Sequence, residues 1–123
     1  MNLTINDKSS ISAVQEEFNS CFPYLKLEFF LKPHKPGGAT ARKYLIPENK
    51  TIGECRTVRN KGKVKLLPGM SVLELEQSFR DIYGLAVQVF RKSGKVWLET
   101  TVTDNWTLEE QNRQGEELSK LVM

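Results

Sequence analysis

The strongest candidate for covalent chemistry in this sequence is the triplet Glu54-Cys55-Arg56. An arginine beside a cysteine can lower the thiol pKa and yield a thiolate nucleophile. A general base would have to stand next to it, and the sequence places none there. The ordinary reading is a strand with one side chain buried and two charges exposed. Acid–base chemistry has a second candidate in Glu99, Asp104, Glu109 and Glu110, because two carboxylates in unlike environments can act as acid and base. Glu109 and Glu110 equally suit the first turn of a helix, where negative charge meets the macrodipole. The single histidine, His34, lies in a Pro/Gly-rich stretch. Pro36-Gly37-Gly38-Ala39-Thr40 lacks the apolar helix that a phosphate-binding loop needs behind it. With no second histidine and no Cys-x-x-Cys pair, neither a zinc site nor another metal or cofactor is expected.

Charge points elsewhere. Between residues 32 and 65 stand Lys32, Lys35, Arg42, Lys43, Lys50, Arg56, Arg59, Lys61, Lys63 and Lys65, against Glu48 and Glu54. The whole chain carries only +3, so the rest of it is mildly anionic. A cationic segment of this kind can neutralise phosphates and hold a polyanion. Lys35, Arg42, Lys43, Arg56, Arg59, Lys61, Lys63 and Lys65 are its expected contacts, with Phe90 and Trp97 as candidate stacking partners. The competing reading is a solvated loop.

The elements that must position these residues follow from periodicity. Leu3 and Ile5 alternate with polar neighbours and predict a short strand. Ser10 caps a helix whose apolar stripe is Ile11, Val14, Phe18, Cys21 and Phe22, ended by Pro23. Leu25 to Leu31 alternate as a strand. A basic Pro/Gly-rich loop is expected at about 32–50, and Thr51 to Val58 reads as another short strand. Val64 and Leu66 open the next strand. Ser71 and Glu74 form a capping box for a helix bearing Val72, Leu75, Phe79 and Ile82, ended by Gly84. Leu85 to Phe90 and Val96 to Thr101 read as a hairpin, and Thr107 caps a polar C-terminal helix.

The two halves match each other. With Ser10 set on Ser71, the apolar positions Ile11, Val14, Phe18, Cys21 and Phe22 fall on Val72, Leu75, Phe79, Ile82 and Tyr83. After one deletion, Leu25, Leu27, Phe29 and Phe30 meet Leu85, Val87, Val89 and Phe90. Two β-α-β units side by side predict an α+β fold, a ferredoxin-like sandwich extended by a C-terminal hairpin strand and a third helix. A turn at Ser93-Gly94 would pair Phe90 with Trp97 and send Val87, Val89 and Leu98 to the core. Phe30, Phe90 and Trp97 would then share the opposite face, as a stacking platform or beneath the C-terminal helix or the long loop. Cover is favoured, since monomers rarely leave such a patch bare.

The chain has 123 residues, the length of one domain. No apolar run approaches a membrane span, and no basic segment followed by an apolar one opens the sequence, so a cytoplasmic protein with reduced cysteines is expected. The stretches Thr51-Ile52-Gly53-Glu54-Cys55-Arg56, Val89 to Thr101, and Asp104-Asn105-Trp106-Thr107-Leu108-Glu109-Glu110-Gln111-Asn112 resemble short, functionally uncharacterised proteins of Bacteroidetes bacteria. That resemblance implies a bacterial cytoplasmic protein and supplies no activity or site residues. The expected function is a non-enzymatic binding module, monomeric or dimeric, that engages nucleic acid or an anionic surface of a larger assembly. The alternatives are a small enzyme built on Glu54-Cys55-Arg56 or the Glu99/Asp104 region, and a structural subunit that dimerises through a sheet edge.

Overall fold

A computed structural model describes residues 3–31 and 44–121. Helix α1 spans Ile11–Cys21, and the Ser10 hydroxyl accepts the Ala13 N–H at its start. Its buried stripe is Ile11, Val14 and Phe18, the spacing that puts side chains on one helical face. Strand β1 (Leu25–Phe30) follows. Helix α3 (Val72–Tyr83) carries the expected Ser71/Glu74 capping box and ends on Gly84 in the left-handed conformation. Strand β2 spans Ala86–Ser93, β3 spans Val96–Glu99, and α4 spans Leu108–Leu121. The segment expected as a strand at Thr51–Val58 instead holds a single helical turn, α2 (Ile52–Cys55). The reason is local: Thr51 and Glu54 satisfy each other's backbone donors in a capping box. No helix among the described residues is long and apolar enough to cross a membrane.

The fold is α+β, with one antiparallel sheet in the order β1-β2-β3. Leu25, Leu27 and Phe29 stand opposite Arg91, Val89 and Val87, and these residues share one face. The helices pack on that face; Phe29 meets Phe79 edge-on at 5.4 Å. Leu3, Val64 and Leu66 are buried there too. Among the described residues they form no strand, although Lys65 takes part in an isolated bridge. Leu3 N–H donates to Val64 O at 3.0 Å, and the two leading segments meet as extended chain. The four-stranded sheet of a ferredoxin-like sandwich is therefore not what the described residues form. The second strands of the two units pair directly with each other instead.

The halves repeat in their hydrogen bonds as well as in their sequence. Ile11 N–H donates to Lys50 O at 2.8 Å, and Val72 N–H to Trp106 O at 3.2 Å. Ser12 donates to Glu48 O at 3.0 Å, as Leu73 does to Asp104 O at 2.9 Å. In return Ile52 donates to Ser9 O and Leu108 to Met70 O, both at 2.9 Å. Gly53 donates to Asp7 O at 2.9 Å, as Glu109 does to Pro68 O at 3.0 Å. Each half thus locks the N-terminus of its first helix to the N-terminus of its second. Phe30 bridges Leu45 as Phe90 pairs with Glu99. Glu28 stands directly opposite Gln88, its own counterpart, so a pseudo-twofold axis passes between them.

Two placements differ from expectation. The hairpin turn is Gly94-Lys95, which pairs Lys92 with Trp97 and Phe90 with Glu99. Gly94 has φ 65°, the left-handed value glycine adopts most readily. The slip is two residues in pairing, so Phe90 and Trp97 still share a face. Leu98 points to the helix side but is 44% exposed, on the edge strand of the sheet. Helix α4 does not cover the aromatic face; it lies on the other side. Arg91, on the core face, donates to Gln111 Oε1 at 2.9 Å. A Cβ added to Gly115 would stand 2.9 Å from Tyr24 Cβ and 3.1 Å from Arg91 Cγ. The buried stripe of α4 is Leu108, Gln111, Gly115 and Ser119. Only a helix face this small could approach the sheet so closely.

Gly84 gives the sharpest test of this arrangement. Its φ is 65°, and an added Cβ would sit 1.9 Å from Thr57 Oγ1. Gly84→Ala is expected to lose about 1–2 kcal/mol from backbone conformation alone, and more from that contact. Urea unfolding measures it, and an unchanged midpoint would contradict the packing described.

Candidate functional site

Among the described residues, the cations of the central basic segment divide into two that pair with Asp7 and a row of lysines that face solvent. Arg56 belongs to the first group. Its Nη1 donates to Asp7 Oδ1 at 2.9 Å, its Nε to Val58 O at 2.9 Å and its Nη2 to Ile82 O at 3.2 Å. Its guanidinium also lies 4.7 Å from the Tyr83 ring centroid. Arg59 donates to the other oxygen of Asp7 at 2.9 Å. The neighbouring linker continues the pattern. Thr57 and Val58 N–H both reach Tyr83 O, Thr57 Oγ1 donates to Gly84 O, and Asn60 Nδ2 donates to Asp81 O. The open carbonyls at the end of α3 are thereby satisfied, with Arg56 adding positive charge at the favourable pole.

Of the expected ligand contacts, Arg56 is tucked into the fold with 11% of its side chain exposed, whereas Arg59 pairs with Asp7 but stays 67% exposed. Together they hold the Asp7 carboxyl below the usual carboxylate range, through their hydrogen bonds first and their charge second.

Lys61, Lys63 and Lys65 form the second group. Val64 and Leu66 point inward and are buried, while the three lysines are exposed. Alternation along an extended segment sets lysines on every second residue, outward. They make no ion pair among the described residues. Lys63 and Lys65 border a groove of about 380 Å³ that is also lined by Leu67, Met70 and residues of α3. Two carboxylates, Glu74 and Asp81, line it and accept hydrogen bonds from neutral donors. Glu74 serves the Ser71 cap, and Asp81 accepts from Gln77 Nε2 at 2.7 Å.

Phe90 and Trp97 lie on the far side of the molecule. With Lys26, Glu28, Phe30, Leu45 and Glu99 they line a cleft of about 180 Å³ on the sheet's outer face. Lys26 Nζ stands 5.3 Å from the Phe90 ring centroid and 5.1 Å from that of Trp97. It also pairs with Glu28 at 3.4 Å. Phe30 is buried, while Phe90 and Trp97 are half-exposed. The structure thus keeps the lysine ridge and the aromatic pair apart. Lys26 escaped notice because β1 hides it between buried neighbours in sequence. Its place opposite Phe90 in the register is a cross-strand fact. Lys35, Arg42 and Lys43, like His34, lie outside the described residues.

Glu54 is held in the α2 capping box, and its hydrogen bonds from Thr51 lower its pKa. Burial pushes the Cys55 thiol up, and the Glu54 charge pushes it the same way. Both act against thiolate formation. Glu109 and Glu110 stand in the first turn of α4, and the backbone carbonyl of Asp104, not its carboxylate, accepts the Leu73 N–H. Among the described residues no three His, Cys, Asp or Glu side chains gather as a metal site would require.

Two measurements follow. In a Cys21→Ser background, alkylation of Cys55 at neutral pH should run slower than that of a small free thiol and speed up only beyond the ordinary thiol value near 9.0. Fast stoichiometric labelling would contradict this. For Asp7, a lowered folded pKa means stability that is fully present above the ordinary value of 3.8 and is lost as pH falls through the lower folded value. Wild type should exceed Asp7→Asn in urea midpoint at neutral pH, and the gap should close in strong acid. A gap independent of pH would show that the charge does not matter.

No protein-family model, curated protein or solved structure matches the chain.

Proposed function

We propose that this protein is a non-enzymatic binding module that engages nucleic acid, or an acidic protein surface, through the ridge of Lys61, Lys63 and Lys65. One observation carries the reading: these three cations are exposed, stand on one side of an extended segment and have no ion-pair partner among the described residues. Arg56 and Arg59, by contrast, answer to Asp7. A row of free ammonium groups beside a groove is suited to successive phosphates or carboxylates. A cytoplasmic setting belongs to the same proposal.

The half-exposed Phe90 and Trp97 favour a second reading, in which bases stack on the outer sheet face once Lys26 swings away. In that cleft Glu28 and Glu99 outnumber Lys26, whereas Glu74 and Asp81 only balance Lys63 and Lys65 in the groove, so the cleft is the poorer polyanion site. As to architecture, we propose the ferredoxin-like relation at the level of the half-chain unit alone. Its support is the matched extended segment, helix and strand in each half.

Anisotropy of a labelled single-stranded oligonucleotide, titrated at graded salt, tests the ridge. Three phosphate contacts on a single strand give a slope of log affinity against log salt near −2. Replacing Lys61, Lys63 and Lys65 together by Ala should remove about that much slope and most of the binding. Unchanged affinity and slope in that variant would exclude the ridge.

A further inference from the structure

Strand β3 ends the sheet. The outer side of β1, the corresponding position in the other half, is partly sheltered: Leu31 N–H donates to Tyr44 O and Ile46 N–H to Phe29 O, both at 2.8 Å. Among the described residues nothing does the same for β3. Its outward N–H and C=O groups form an open edge, which natural sheets usually guard with a proline, a bulge or a charge within the strand. Of these, β3 has only the charge of Glu99 at its end, besides being just four residues long. Val96 is 56% exposed and Leu98 44%.

We propose that this edge is a self-association surface, on which β3 pairs antiparallel with β3 of a second copy, centred on Trp97. The run Lys95-Val96-Trp97-Leu98-Glu99 is complementary to its own reverse. About that centre, Lys95 meets Glu99 of the second copy, Val96 meets Leu98, and Trp97 meets Trp97. Cross-strand pairs of opposite charge and of apolar side chains stabilise a sheet, and like charges directly opposed destabilise it. A parallel pair in the same register would oppose Lys95 to Lys95 and Glu99 to Glu99. Moving the antiparallel centre by one residue, to Leu98, would set Trp97 against Glu99. Charge and hydrophobicity therefore select one orientation and one register. Lys95 and Glu99 are both exposed and have no ion-pair partner among the described residues, so they are available. The contact is isologous, so each interaction occurs twice. Being only one short strand wide, it makes a weak dimer rather than an obligate one.

The proposal is independent of the lysine ridge. Sedimentation velocity on the full chain, up to about 1 mM, should show a monomer–dimer equilibrium. Lys95→Glu and Glu99→Lys should each weaken it about tenfold, since each sets two like-charged pairs face to face. The double exchange Lys95→Glu/Glu99→Lys should recover association close to wild type. The variant lacking Lys61, Lys63 and Lys65 should dimerise as wild type does, whatever becomes of oligonucleotide binding. Far-ultraviolet circular dichroism confirms folding in each case. A wild type that stays monomeric throughout, single variants that associate as wild type, or a double exchange no better than the singles would each overturn the proposal.

Discussion

The antiparallel pairing of β1 with β2 is the contact on which the rest of this structure depends. It sets Glu28 against its counterpart Gln88, and so makes two similar half-chains face each other across one axis. Leu25, Leu27, Phe29, Val87 and Val89 then form one continuous apolar sheet face. Neither half could bury its helix alone. A β-α unit of some thirty residues has too little core to offset its conformational entropy. Joined, α1 and α3 share a single core, and Phe29 of one half packs on Phe79 of the other. Register is firmly set by this burial, because a slip of one residue would turn every apolar side chain outward.

The join also governs the chemistry of the linker. The segment from Arg56 to Asn60 runs past the end of α3 and supplies the donors that its last carbonyls lack. Asp7 reaches across from the first half to hold two arginines there. Gly53 makes that approach possible, since a Cβ at this position would stand 2.8 Å from Asp7 O. Charge counted along the chain therefore overstates the charge offered to a ligand. Both guanidinium groups are paired with Asp7, and among the described residues Lys61, Lys63 and Lys65 are the exposed cations of the segment without an ion pair.

Much of this was legible in the residues. Ser10 and Ser71 marked α1 and α3, and the alternation of Leu25 to Leu31 and of Leu85 to Phe90 marked two strands that the structure contains. The repeat itself was visible, because caps and apolar stripes are local patterns. Partnership was not. That β1 would pair with β2 depends on which edges meet in three dimensions, and period-two alternation is blind to that. Leu3, Ile5, Val64 and Leu66 alternate like strands because one side is buried, yet too few backbone bonds accompany them for a ladder. Thr51–Val58 was misread because one capping box outweighs a few β-branched residues. Helix α4 hid its buried face because Gln111, Gly115 and Ser119 are small or polar. A stripe of that kind carries no hydrophobic signal, although its packing is close.

The same division applies to the candidate site. Lys61, Lys63 and Lys65 stand out in the sequence and remain exposed in the fold, whereas Asp7, which claims Arg56 and Arg59, gave no signal at a separation of 49 residues. The central claim is that the lysine ridge beside α3 is the binding surface. Amide and side-chain chemical-shift mapping with a short single-stranded oligonucleotide tests it most directly. Shifts should concentrate on Lys61 to Leu67 and the facing side of α3, with the Trp97 indole N–H unmoved. Shifts centred on Trp97, Phe90 and Lys26, with the ridge silent, would contradict it.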